Sequence, residues 1–159
     1  MNWTIADFLV AGCLLAVLGS GAWWVARPGR PWSRRLADFG MIGSNVLLIW
    51  INGAVGVIGT EDQDANLLYL ILPVFGIAGA AASRWTRRAR YLASLASAMA
   101  MVLIGGLALA FGWGEGGARW PVDVLSVTAV FTAGFLFAAW LYRQANQAEF
   151  VQAASSRAR

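Results

Sequence analysis

The chain alternates long apolar runs with short polar interruptions, and the runs fall at 4–26, 37–58, 66–83, 91–112 and 121–142. A helix rises 1.5 Å per residue, so a hydrocarbon core of ~30 Å takes about 20 apolar residues to cross. Four runs reach that length, and the third, 66–83, sits near the lower bound of roughly 17 and is expected to cross with little tilt. The runs are continuously apolar rather than alternating, which excludes the strands of an outer-membrane barrel. Lipid cannot hydrogen-bond an open backbone, so each run is expected to be helical. The predicted fold is an all-α bundle of five transmembrane helices forming one membrane domain, 1–142, followed by a tail, 143–159.

Composition removes the soluble alternative. Hydrophobic residues make up 59% and charged residues 13% of the chain, against roughly 45–50% and about 25% in ordinary globular domains. A single core of this size cannot hide that much apolar surface from water.

Charge placement then predicts an orientation. All twelve cations are arginines. Arg27, Arg30, Arg34 and Arg35 follow the first run, Arg84, Arg87, Arg88 and Arg90 follow the third, and Arg143, Arg157 and Arg159 follow the fifth, leaving Arg119 by itself on the other side. Cytoplasmic loops collect arginine, so the N-terminus is expected outside and the C-terminus in the cytoplasm, in an inner membrane. The eight arginines of the two loops are read as topology determinants and lipid anchors. Asp7, Glu61, Asp62, Asp64, Glu115 and Asp123 fall on the outer side or at outer helix ends, against Asp38 and Glu149 on the inner. The sequence is rich in tryptophan, and eight of its nine tryptophans sit at expected interfaces: Trp3, Trp113 and Trp120 outside, Trp23, Trp24, Trp32, Trp85 and Trp140 inside. A basic membrane face accounts for the positive charge without a nucleic-acid partner. The N-terminal end of the first run carries Asp7 and no cation, and the arginines follow it, so it is expected to stay as a helix and not to be cleaved as a signal peptide.

The residue inventory argues against enzymatic chemistry. There is no histidine and a single cysteine, Cys13, which removes histidine-ligated haem, most zinc and copper sites, and any intramolecular disulfide. Gly114, Glu115, Gly116 and Gly117 lack the following lysine of a phosphate loop. No catalytic residue and no metal ligand is assigned. Every charge lies near a helix end, which argues against proton relay through one monomer.

Polarity inside the apolar runs concentrates in the second. Asp38, Asn45, Asn52 and Gly59 recur every seven residues and form one stripe, with Gly56 beside it. An amide facing lipid would leave hydrogen bonds unmet, so the stripe faces another helix, a partner subunit or a bound ligand. Trp50 points about 140° away at 100° per residue. Asn45, Asn52 and Trp50 are therefore the candidate ligand or helix-contact positions, for a lipid, quinone, pigment or tetrapyrrole-like molecule; no resident cofactor is predicted. The loop 59–66 places Glu61, Asp62 and Asp64 within four residues. It is too short for a twelve-residue calcium loop, so Asp64 or Asn66 is read as capping the third helix. Gly56, Gly59, Glu61, Asp62 and Asp64 are the candidate partner-contact surface. Small residues at four-residue spacing, Ala93, Ser97, Met101 and Gly105 in the fourth run, Thr128 with Thr132 and Gly134 with Ala138 in the fifth, are expected to let helix backbones approach.

The stretch 50–70 resembles small bacterial inner-membrane proteins without assigned function, in which the phrase V-G-I-I-G-x-E-x-x-x-A-N-L-x-Y joins two membrane helices. Val55, Gly56, Ile58, Gly59, Glu61, Ala65, Asn66, Leu67 and Tyr69 match it, and Val57 replaces an isoleucine. The resemblance implies a family and a fold, and no chemistry. Tryptophan-rich sensory (translocator) proteins are similar in helix number and size, but the loop 27–36 lacks their W-x-P-P-type motif. The expected function is that of a non-catalytic accessory or assembly subunit packing against a larger membrane complex, respiratory or photosynthetic complexes being suitable hosts. The alternatives are a small binder of an apolar ligand and a homo-oligomeric transporter.

Overall fold

The computed structural model describes residues 5–29, 31–58, 64–82, 86–117 and 119–157. These form five α-helices, α1 (Ile5–Ala26), α2 (Trp32–Val55), α3 (Leu67–Ala82), α4 (Arg87–Ala110) and α5 (Val122–Arg157), with a 3-10 turn at Asp64–Asn66 before α3. Among the described residues four stretches are long and apolar enough to cross a membrane: Phe8–Ala26, Trp32–Ala54, Arg88–Ala110 and Val122–Ala148.

The third predicted crossing is shorter than the others. α3 has 16 residues, about 24 Å of helix. The carboxamide of Asn66 explains the late start: its Oδ1 accepts from the N–H groups of Val57 and Ile58 at 3.0 and 2.8 Å. That bond set ties residues 64–66 to the end of α2 in a 3-10 turn, so the α-helix begins only at Leu67.

Other boundaries move outward, because hydropathy does not register a polar helical turn. α2 begins at Trp32, and the N–H groups of Arg34 and Arg35 both bond the carbonyl of Pro31 at 3.1 Å. α4 begins at Arg87, with Thr86 as N-cap accepting from the Ala89 N–H. α5 does not stop at Tyr142. Residues 143–157 contain neither Gly nor Pro and are mostly good helix formers, and α5 runs 36 residues, about 54 Å. Its last turns therefore project beyond a membrane-sized slab.

α5 packs against α2 on one side and α4 on the other, α3 leans on α4 and touches α2, and α1 lies chiefly on α2. Cross-helix pairs give the directions. Asp38 meets Tyr142 and Ser44 lies beside Gly134, so α2 and α5 are antiparallel. Tyr69, Leu72, Leu48, Met101, Phe131 and Phe135 fill the space between α2, α3, α4 and α5. Small residues set the closest approach: a Cβ on Gly105 of α4 would run into the Thr128 side chain of α5. Ser97, Ala98, Met101 and Ala138 are buried on the same seams. The result is a four-helix unit with α1 laid along its outside. Arg27, Arg34, Arg35, Arg88, Arg90 and Arg143 sit at one end of it and Arg119 at the other.

Candidate functional site

The polar stripe of α2 divides into two sites at opposite ends of the bundle. At the far end, Asn52 is buried and its Nδ2 donates to the Asn66 carbonyl at 3.0 Å. Asn66 donates in turn from its own Nδ2 to the Ile58 carbonyl at 3.3 Å. Gly56 ends α2 at φ +69° with its N–H on the Asn52 carbonyl, a conformation that favours glycine. Two asparagines thus close the turn between α2 and α3 with side chains in place of water. Asn66, expected from sequence as a cap of α3, serves the unwound end of α2 instead. Asp64 is exposed in the 3-10 turn. Gly59, Glu61 and Asp62 lie outside the described residues.

In mid-helix, Asn45 donates to its own helix at the Met41 carbonyl, 2.7 Å away. The Oδ1 atoms of Asn45 and Asn52 and the Oγ1 of Thr132 are buried without a hydrogen-bond partner among the described residues. Trp50 does not join them. It lies on another face of α2 and is 38% exposed, so the three candidate ligand positions do not converge on one point.

The arginine-rich end holds a group that the sequence pattern did not assemble. Asp38, expected to reach the membrane interface, is buried at 4% exposure. It accepts from the Tyr142 hydroxyl at 2.6 Å and from Arg90 Nη1 at 3.2 and 3.3 Å. Arg90, expected from sequence to be a lipid anchor, is instead an internal partner: its side chain is 12% exposed, and its guanidinium sits 5.7 Å from the Trp24 ring. One carboxylate therefore joins α2, α4 and α5, and the cation–π contact adds α1. The signal available in sequence was an acid at the head of the α2 stripe; its partners lie 52 and 104 residues away.

Neighbouring arginines divide by role. Arg35 donates to the carbonyls of Val25 and Ala26 at 2.8 and 2.7 Å, satisfying the last turn of α1. Arg27 stacks on Trp23 at 4.0 Å. Arg34 is half-buried and Arg88 exposed. Arg30 and Arg84 lie outside the described residues, as does the side chain of Arg87. At the opposite end Trp113 and Trp120, expected as interfacial anchors, are packed against the core, and the Trp120 Nε1 donates to the Trp113 carbonyl at 3.1 Å.

No protein-family model, curated protein or solved structure matches this chain.

Proposed function

We propose that the protein is a non-catalytic inner-membrane subunit that docks a larger membrane complex through the outer face of α1. The observation that carries this reading is the exposure of that helix. Only 6% of its apolar stretch is buried, against 28–33% for the other three long spans. Gly21 sits on the α2 side, where a Cβ would come within 2.9 Å of Ile42. Gly12 and Gly19 lie on the opposite face with Ala16, and a Cβ at either glycine would meet nothing within 4 Å. Glycine costs a helix about 1 kcal/mol relative to alanine. In lipid that cost is offset where a second backbone approaches closely, and among the described residues no other helix does so there.

Purification of the full chain in mild detergent, followed by mass spectrometry, tests the reading. A stoichiometric membrane partner is expected with the native chain, and its loss in a Gly12→Leu, Gly19→Leu variant that still inserts. A monomer without any partner, or a partner unaffected by the double substitution, overturns it.

The unpartnered oxygens of Asn45, Asn52 and Thr132 favour one second reading, a bound apolar molecule with a polar head inside the bundle. Asn45→Leu is its test, because that side chain bonds only its own helix. Under this reading a lipid, quinone or pigment co-purifies with the native chain and is lost from the variant, which still inserts and keeps its helical circular-dichroism spectrum.

A further inference from the structure

At the arginine-rich end a groove of about 590 Å³ runs between the first turns of α4 and the projecting part of α5, lined by Tyr91, Arg143, Asn146, Gln147 and Phe150. Four of these belong to one stripe of α5, at positions i, i+3, i+4 and i+7. The Tyr91 ring packs against Ala37, Leu141 and Tyr142 and is held at the groove wall. The Tyr91 hydroxyl, the Arg143 guanidinium and the two carboxamides make no hydrogen bond or ion pair with another described residue. The groove thus gathers four hydrogen-bonding groups without a partner among the described residues, and the only charge among its described lining residues is positive.

Its depth is set by the helix that carries it. From Asp123 to Arg143 α5 contains no charged residue. Those twenty residues span about 30 Å, the thickness of a hydrocarbon core. Arg143 therefore marks headgroup level, with Asn146, Gln147 and the exposed Phe150 outward of it. In the other direction, on the same side of α5, exposed Trp140 and Leu136 lie three and seven residues before Arg143. A polar pocket that continues into an apolar track has the chemistry of a lipid and not of a free anion. The N-terminal turn of α4, with exposed Arg88 three residues before Tyr91, adds positive potential.

We propose that this groove binds the phosphate headgroup of an anionic phospholipid. Arg143 pairs with the phosphodiester, which a guanidinium can meet with two parallel N–H donors. Tyr91, Asn146 and Gln147 donate to the remaining oxygens, and the acyl chains follow Trp140 and Leu136 into the bilayer. None of the described lining residues is a carboxylate, which selects against headgroups that carry an ammonium beside the phosphate, because none of these residues pairs with that cation.

The test is native mass spectrometry of the delipidated full chain in detergent, titrated separately with phosphatidylglycerol, phosphatidylcholine and inorganic phosphate. One phosphatidylglycerol is expected to bind the native chain, about tenfold more tightly than phosphatidylcholine. Arg143→Gln is expected to weaken it about tenfold, as for loss of a hydrogen bond to a charged group. Arg27→Gln, a control at the same end of the bundle, leaves it unchanged. Arg143 makes no hydrogen bond or ion pair with another described residue, and an unchanged circular-dichroism melt of Arg143→Gln establishes that the variant is folded. Equal weakening by Arg27→Gln would mean diffuse surface attraction and overturns the proposal. So does unchanged binding in Arg143→Gln, equal affinity for phosphatidylcholine, or displacement of the lipid by millimolar inorganic phosphate.

Discussion

Asp38 is the residue on which the arginine-rich end of the bundle converges. It neutralises Arg90 and accepts from Tyr142, and all three belong to different helices. A buried pair of this kind adds little net energy against a hydrophobic replacement, yet removing one member strands the other charge. Asp38→Leu is therefore expected to destabilise the fold by about 3 kcal/mol, while Asp38→Leu with Arg90→Leu recovers most of that loss. Thermal melts of the three proteins in the same detergent check the coupling; equal losses for the single and double variants would show that Arg90 does not depend on Asp38. Asn66 acts comparably at the other end, where Val57 and Ile58 lose their acceptor if it is replaced. Asn66→Ala leaves two N–H groups unsatisfied, at about 1–3 kcal/mol each, and is expected to lower the melting temperature more than Asn45→Leu does.

Among the elements, the seam between α4 and α5 depends on one small side chain. Gly105 faces Thr128 at a distance that leaves no room for a Cβ, whereas its neighbour Gly106 is exposed with nothing within 4 Å. The two glycines are adjacent in sequence and opposite in consequence. Gly105→Ala is expected to cost roughly 1–3 kcal/mol by overpacking. Gly106→Ala is expected to be neutral or to stabilise by up to about 1 kcal/mol through helix propensity. Both are read by thermal or denaturant melts, and a destabilised Gly106→Ala would place a further contact on that face. The runs marked both positions as helix interior, and the four-residue spacing of Ser97, Met101 and Gly105 marked the packed face. What spacing could not indicate was which neighbour that face meets. α5 makes the same point about length: nothing in 143–157 breaks a helix, yet loss of hydropathy alone suggested an end at 142.

For the whole molecule, the helix directions place residues 27–29 and 86–90 at one end and 56–58, 64–66, 111–117 and 119–121 at the other. Single cysteines on a Cys13→Ser background test how this maps onto a membrane. Arg27→Cys and Arg88→Cys are expected to resist an impermeant thiol reagent in intact cells, and Glu115→Cys and Arg119→Cys to react. Labelling of positions 27 and 115 from the same side would contradict a membrane-crossing bundle. Arginine clustering serves two ends at once in this chain: Arg27 and Arg88 face outward, while Arg35 caps α1 and Arg90 braces the interior.

Hydropathy is additive along the chain, so the apolar runs by themselves determined that the protein is helical, how many helices it has, and that Arg27, Arg34, Arg35, Arg88, Arg90 and Arg143 share one end. Side-chain pairing is not additive in that way. It depends on the rotation and register of helices far apart in sequence, which only packing sets. That is why the tertiary structure alone turned Asp38, Arg90 and Tyr142 into one brace, sent Asn66 back to α2, and opened a groove beside Arg143.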